Sequence, residues 1–254
     1  VRERGGREPR RTRTIAVDAV DAVDAAHDVR AVVGALGGRA RFLARHGARK
    51  RAAAMADTAP TARPRSPLAH AADRLAAATR FCGGAVRLAE VPFLAQLNVR
   101  LDAKSPAADA VGLALGFPLP LEPDTVVRGG DLRAVWLGPD EWLVVGRPGA
   151  RRDLEGRIRS AGGDAPLSVT DVSAQRTTVL VGGPRARDLL AHGCRLDLHP
   201  RAFGPGRCAQ TTLARTQVVL VARDRPGAGF WVLVRSSFAD HLANWLLDAA
   251  VEYG

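Results

Sequence analysis

From Phe93 to Leu101 the chain alternates. Phe93, Ala95, Leu97, Val99 and Leu101 take one side, and Gln96, Asn98 and Arg100 the other. A period of two predicts a half-buried strand. Elsewhere the period is helical. Leu68, Ala71, Ala72, Leu75 and Ala78 form an apolar stripe behind Ser66-Pro67, and an N-cap serine followed by proline predicts a helix start. Ser105-Pro106 repeats the device and predicts a helix reaching about Leu115. The next stretch, "GFPLPLEPDT", carries too much proline for a central strand. "LRAVWLG" and "EWLVVG", joined through Gly138-Pro139-Asp140, predict a hairpin, and Arg151 to Ser160 a helix closed by Gly162-Gly163.

A second series follows. "LSVTDVS" and "RTTVLVGG" are rich in β-branched residues and predict strands. Pro184 opens a short helix ended by Gly193. "CAQTTLA" and "QVVLVAR" predict a hairpin, and "FWVLVR" a strand. Ser236 or Ser237 caps a last helix with Phe238, Leu242, Trp245, Leu246 and Ala249 at helical spacing. The two series share one order: a strand and a helix, then strand, turn, a strand led by tryptophan or close to one, and a helix. "WLVV" in the first is answered by "WVLV" in the second. The expected fold is therefore α+β, a duplicated unit of antiparallel sheet with helices on one face, with pseudo-repeats at about 85–165 and 166–254. The competing reading is coincidence, because hairpin–helix units are common.

Charge redraws the N-terminal boundary. The chain has 254 residues and a formal net charge of +11, which invites a nucleic-acid reading. Residues 1–54 hold 13 Arg/Lys against 6 Asp/Glu, so most of the excess lies there. That segment is expected to be disordered or an upstream extension. It opens with an Arg/Gly-rich run, and its repeated "VDA" fits neither a helical nor a strand period. The single methionine, Met55, is the expected natural start, and residues 55–84 an N-terminal tail and helix. An intact mass from the native host tests this expectation. Three cysteines, with no export signal and no long apolar run, point to the cytoplasm, with neither membrane nor nucleic acid as partner.

Candidate chemistry centres on "GCRLDLHPRAFGPGRCAQTTLAR". Cys194, His199 and Cys208 offer three ligands, one short of a structural zinc set and without a close pair, so buried thiols are the favoured reading and a metal the disfavoured one. Asp140-Glu141 is an adjacent acidic pair on a turn, where side chains diverge and solvation is the simpler role. Gly227-Ala228-Gly229 lacks the third glycine and following helix of a dinucleotide fingerprint. No serine sits in a nucleophile elbow. The four tryptophans fall on apolar elements and read as core. Arg201 and Arg207 flank "AFGPG" around Phe203; that loop is either merely solvated or a contact surface for a partner protein.

Five stretches in order, "EVPFLAQLNVR", "WLGPDEWLVV", "VTDVSAQRT", the cysteine loop itself and "VRSSFADHLANWLLDA", resemble the gamma subunit of bacterial heterotetrameric sarcosine oxidase, over about Leu88 to Ala249. The resemblance implies a fold similar to the folate-binding domain of the glycine-cleavage T-protein. It implies alpha, beta and delta subunits as partners. It also implies a complex that demethylates sarcosine to glycine, passes the one-carbon unit to tetrahydrofolate and forms hydrogen peroxide. FAD, FMN, NAD, tetrahydrofolate and zinc are then expected on other subunits. This chain is expected to carry no cofactor, no metal and no catalytic residue. Its docking surfaces are expected at the Pro-rich loop Gly116–Asp124 and at His199, Arg201, Phe203 and Arg207, with Phe203→Asp weakening assembly while leaving the chain folded. The rivals are the equivalent subunit of an N-methyl-amino-acid dehydrogenase such as N-methylglutamate dehydrogenase, a stand-alone folate-binding protein, and a nucleic-acid-binding protein.

Overall fold

A computed structural model describes residues 64–224 and 228–254. The expectations for residues 1–54, for Met55 and for Gly227 lie outside the described residues. The elements run α1 (Ala72–Phe81), β1 (Arg87–Val91), β2 (Ala95–Arg100), α2 (Pro106–Leu115), β3 (Val126–Gly129), β4 (Leu132–Gly138), β5 (Glu141–Gly146) and α3 (Arg151–Gly162). Then follow β6 (Ser168–Asp171), β7 (Arg176–Gly182), α4 (Ala186–Ala191), β8 (Cys208–Leu213), β9 (Thr216–Ala222), β10 (Phe230–Arg235) and α5 (Ala239–Ala250).

The strands form two five-stranded antiparallel sheets, ordered β3-β4-β5-β2-β6 and β8-β9-β10-β7-β1. The orders correspond strand for strand. In each sheet the fifth strand comes from the other half of the chain. β1 precedes β2 in sequence but pairs with β7, Leu88 opposite Val181. β6 precedes β7 but pairs with β2, Val169 opposite Val99. Each half thus completes its partner's sheet, and separating the halves would strip an edge strand from both.

Helices cover one face of each sheet. Leu75 of α1, Leu189 and Leu190 of α4, and Leu242 and Leu246 of α5 pack on Val179, Val181, Leu220 and Val232. Val111 and Leu115 of α2 and Leu154 and Ile158 of α3 pack on Leu97, Val99, Trp142 and Val144. The opposite faces are buried as well, through Leu180, Val221 and Trp231 in one sheet and Val135, Leu143 and Val145 in the other. The two sheets meet there: Arg133 of β4 lies over the Trp231 ring of β10, and the Gln210 amide of β8 donates to the Leu137 carbonyl of β4 at 2.8 Å.

Local rules account for the boundaries of α2. Ser105 accepts from the Ala108 amide, Pro106 starts α2, and Gly116 at φ 90° ends it. Three expectations are corrected. Ser66 caps no helix; its hydroxyl donates to Glu90 at 2.6 Å, and α1 begins at Ala72 after a turn. Phe238 leaves the apolar stripe and is exposed, because a 3-10 turn at Ser236–Phe238 precedes α5. Phe93 sits at φ 60° ahead of β2 and is also exposed. β1 and β3 were not anticipated individually; both are short and lack a clean alternation.

Candidate functional site

The cysteine loop resolves into two separate environments. Cys194 bridges to Leu213 at the far end of β8, whereas Cys208 begins that strand. Five residues of strand, about 17 Å at the usual rise, hold them apart. Cys194 belongs to the helix-side core. Cys208 faces the other sheet, its thiol 3.2 Å from the Thr125 carbonyl oxygen. The two thiols can neither share a metal nor bridge, and among the described residues no group of three or more metal-ligating side chains converges. Burial pushes the Cys208 thiol up to about 12, with Asp124 adding to it. The acidic pair also separates: Asp140 accepts from Arg100 at 3.0 Å, and Glu141 from Asn98 at 2.6 Å.

The two loops expected to dock partners lie side by side. The Val126 amide donates to the Gly206 carbonyl and the Cys208 amide to the Asp124 carbonyl, each at 2.9 Å. Arg207 reaches Glu122 across the same seam at 3.2 Å. His199 and Arg201 are exposed and Arg207 is half-buried. Phe203 is different. It is 6% exposed, stacked on Phe230 with centroids 6.2 Å apart. Arg187 donates to the Phe203 and Leu198 carbonyls and lies over the Phe230 ring, tying the loop inward. Phe203 is therefore core, and the expectation that Phe203→Asp leaves the chain folded is corrected. An aromatic residue in a Pro/Gly loop carries no periodicity, so sequence alone could not reveal its direction.

Beside the seam runs an apolar groove of about 440 Å³ between α2 and the Pro-rich loop, lined by Leu113, Phe117, Pro118, Leu119 and Leu121. The loop alternates inward and outward. Phe117 and Leu119 are buried, while Leu121 is 65% and Leu113 85% exposed. Trp142 anchors it, donating from Nε1 to the Pro120 carbonyl at 2.7 Å. Gly129 is needed beneath, since a Cβ there would fall 2.2 Å from the Phe117 ring. Leu113 escaped the sequence reading because its neighbours Val111 and Leu115 supply the buried face.

A second groove, also about 440 Å³, lies on the inner face of the other sheet. Gln210, Thr212 and Gln217 line one end, Val219 and Leu233 the middle, and Arg176 and Arg235 the other end. The two arginines stand directly opposite each other in the β7/β10 register. Burial, and then repulsion from Arg235, lowers the Arg176 pKa, with Glu141 acting against them. The signal in sequence was one arginine at the end of each of two apolar strands; only the pairing brings them together.

Residues 100–252 match the sarcosine oxidase, gamma subunit family. The chain belongs to that family. It is 40% identical over 191 residues to the sarcosine oxidase subunit gamma of Arthrobacter sp., covering 74% of this chain and 91% of that one. It is 38% identical over 193 residues to the subunit gamma of Corynebacterium sp. strain U-96, with the same coverage. Among solved structures, the heterotetrameric sarcosine oxidase of Corynebacterium sp. U-96 in complex with pyrrole 2-carboxylate superposes with a TM-score of 0.68 at 35% identity, over 75% of this chain and 96% of that one. The glycine cleavage system aminomethyltransferase T of Bartonella henselae superposes with a TM-score of 0.51 at 14% identity, over 67% and 48%. The second match supports the expected likeness to the T-protein fold and nothing further. Among the described residues no helix is long and apolar enough to cross a membrane.

Proposed function

We propose that this chain is a non-catalytic structural subunit of a cytoplasmic heterotetrameric sarcosine oxidase. Partner alpha, beta and delta subunits carry the flavins, NAD, tetrahydrofolate and zinc and perform the oxidative demethylation of sarcosine to glycine. The observation that carries the reading is the match to gamma subunits along 91% of their length. The geometry supports it. Burial holds the Cys208 thiol protonated, and the acidic pair is divided between two partners. What the surface offers is the adjoining pair of loops at 116–124 and 199–207, flanked by Leu113 and Leu121. Exposed leucines beside an apolar groove are what a subunit interface buries.

Co-expression with the neighbouring subunit genes tests this. The chain should co-purify with flavin-bearing partners that consume sarcosine. Leu113→Asp with Leu121→Asp should reduce co-purification at least tenfold while leaving the lone chain's thermal unfolding unchanged. A lone chain that binds flavin or oxidises sarcosine unaided would overturn the proposal, as would failure to co-purify.

A further inference from the structure

We propose that the groove ending at Arg176 and Arg235 docks an acidic loop of a partner subunit, whose carboxylate seats between the two guanidiniums. This rests on the subunit reading above. Like charges directly opposite each other across an antiparallel pair cost stability. Here Arg235 stands opposite Arg176, and no carboxylate lies among the groove-lining side chains. The nearest acidic influence, Glu141, is held by Asn98 at 2.6 Å. Neither arginine has an ion pair within the described residues. Some other surface arginines are paired: Arg100 with Asp140, Arg151 with Asp171, Arg159 with Glu155 and Arg207 with Glu122.

The lining grades from amides and hydroxyls at Gln210, Thr212 and Gln217, through Val219 and Leu233, to the guanidinium pair. It crosses four strands, β8-β9-β10-β7, a span of about 14 Å at the usual strand spacing. That length suits a few residues of polypeptide laid over the sheet with an Asp or Glu at one end. Planar guanidiniums recognise carboxylates through paired hydrogen bonds, and arginine is enriched where protein surfaces meet. The groove also begins on β8, the strand whose first residue joins the loop seam. From there it runs three strands along the sheet to the arginine pair.

The test is Arg235→Glu in the full chain, co-expressed with the other subunits. Arg235 is exposed, so the substitution keeps the fold, and a new Glu opposite Arg176 should raise the lone chain's unfolding midpoint. Assembly should weaken at least tenfold, and wild-type assembly should weaken with salt in a way the variant does not. Opposite movements of stability and assembly separate docking from a structural role. Variant assembly equal to wild type would overturn the docking site and leave the subunit reading standing. If the wild-type chain fails to assemble, both fall. Saturable binding of glutarate to the assembled complex, lost in Arg235→Glu, would show the groove open to a small acid and would also overturn the docking.

Discussion

The guanidinium of Arg133 lies 4.3 Å from the centroid of the Trp231 ring, between the two sheets. Its side chain is 3% exposed, and among the described residues its only charge partner of opposite sign at bonding distance is Asp224, 3.0 Å away. The same carboxylate takes Arg128 at 2.9 Å. Burial lowers the Arg133 pKa and Asp224 works against that, so the carboxylate is what lets the charge stay inside. Asp224→Asn keeps the shape and removes the countercharge. It should cost about 2–4 kcal/mol in urea unfolding, the range for orphaning a buried ion with its partner part-exposed. Arg133→Met combined with Asp224→Asn should recover much of that loss, because no uncompensated charge remains. A single variant as stable as wild type would show that the ring alone holds the cation.

Phe203 gives a second measurement. Its ring stacks on Phe230, and Arg187 fixes the carbonyls on both sides of the loop. Phe203→Leu should destabilise by about 1–2 kcal/mol, and Phe203→Asp by about 4 kcal/mol or more, since it opens a cavity and buries a charge together. Thermal unfolding of the lone chain reads both. An unchanged midpoint for the Asp variant would return Phe203 to the surface and revive its docking role.

Phe203 also marks where sequence reading stops. Period and turn rules located β2 and the β4–β5 hairpin, and capping located α2. Period alone located α5, whose N-cap is Phe238 with no side-chain cap, so neither Ser236 nor Ser237 caps it. The side on which a loop residue lies is set by partners distant in sequence, as Arg187 sets it for Phe203. The exchange of β1 and β6 between the sheets is likewise invisible locally, since a strand's pattern does not name its neighbour. Arg176 and Arg235 are 59 positions apart and become a pair only through the β7/β10 register. Ser66 misleads for a related reason: Glu90 competes for its hydroxyl and wins.

Cys208 should be inert in the native chain. It is 1% exposed, and burial lifts its pKa from 9.0 to about 12. An aromatic disulfide reagent at pH 8 should leave it unmodified until the chain unfolds. The linkage has a definite sign. The raised thiol contributes stability that is complete below pH 9 and lost as pH rises toward 12, because the unfolded chain releases the proton first. Cys208→Ala should therefore flatten the alkaline side of the stability profile. Rapid labelling of Cys208 in folded protein, read by peptide mass, would contradict this.

Thr178 is a buried polar residue whose replacement should stabilise the chain. It is fully buried on β7, opposite Val91 on one side and Leu233 on the other. Among the described residues its hydroxyl has no hydrogen-bond partner. A buried hydroxyl without a partner costs about 1–3 kcal/mol, and valine has nearly the same shape without that cost. Thr178→Val should accordingly stabilise the chain by about 1 kcal/mol in urea unfolding. Thr178→Ser, which keeps the hydroxyl and loses the packed methyl, should destabilise it by a similar amount. If valine proves neutral or harmful while serine is tolerated, the hydroxyl is satisfied in solution and its burial carries no penalty.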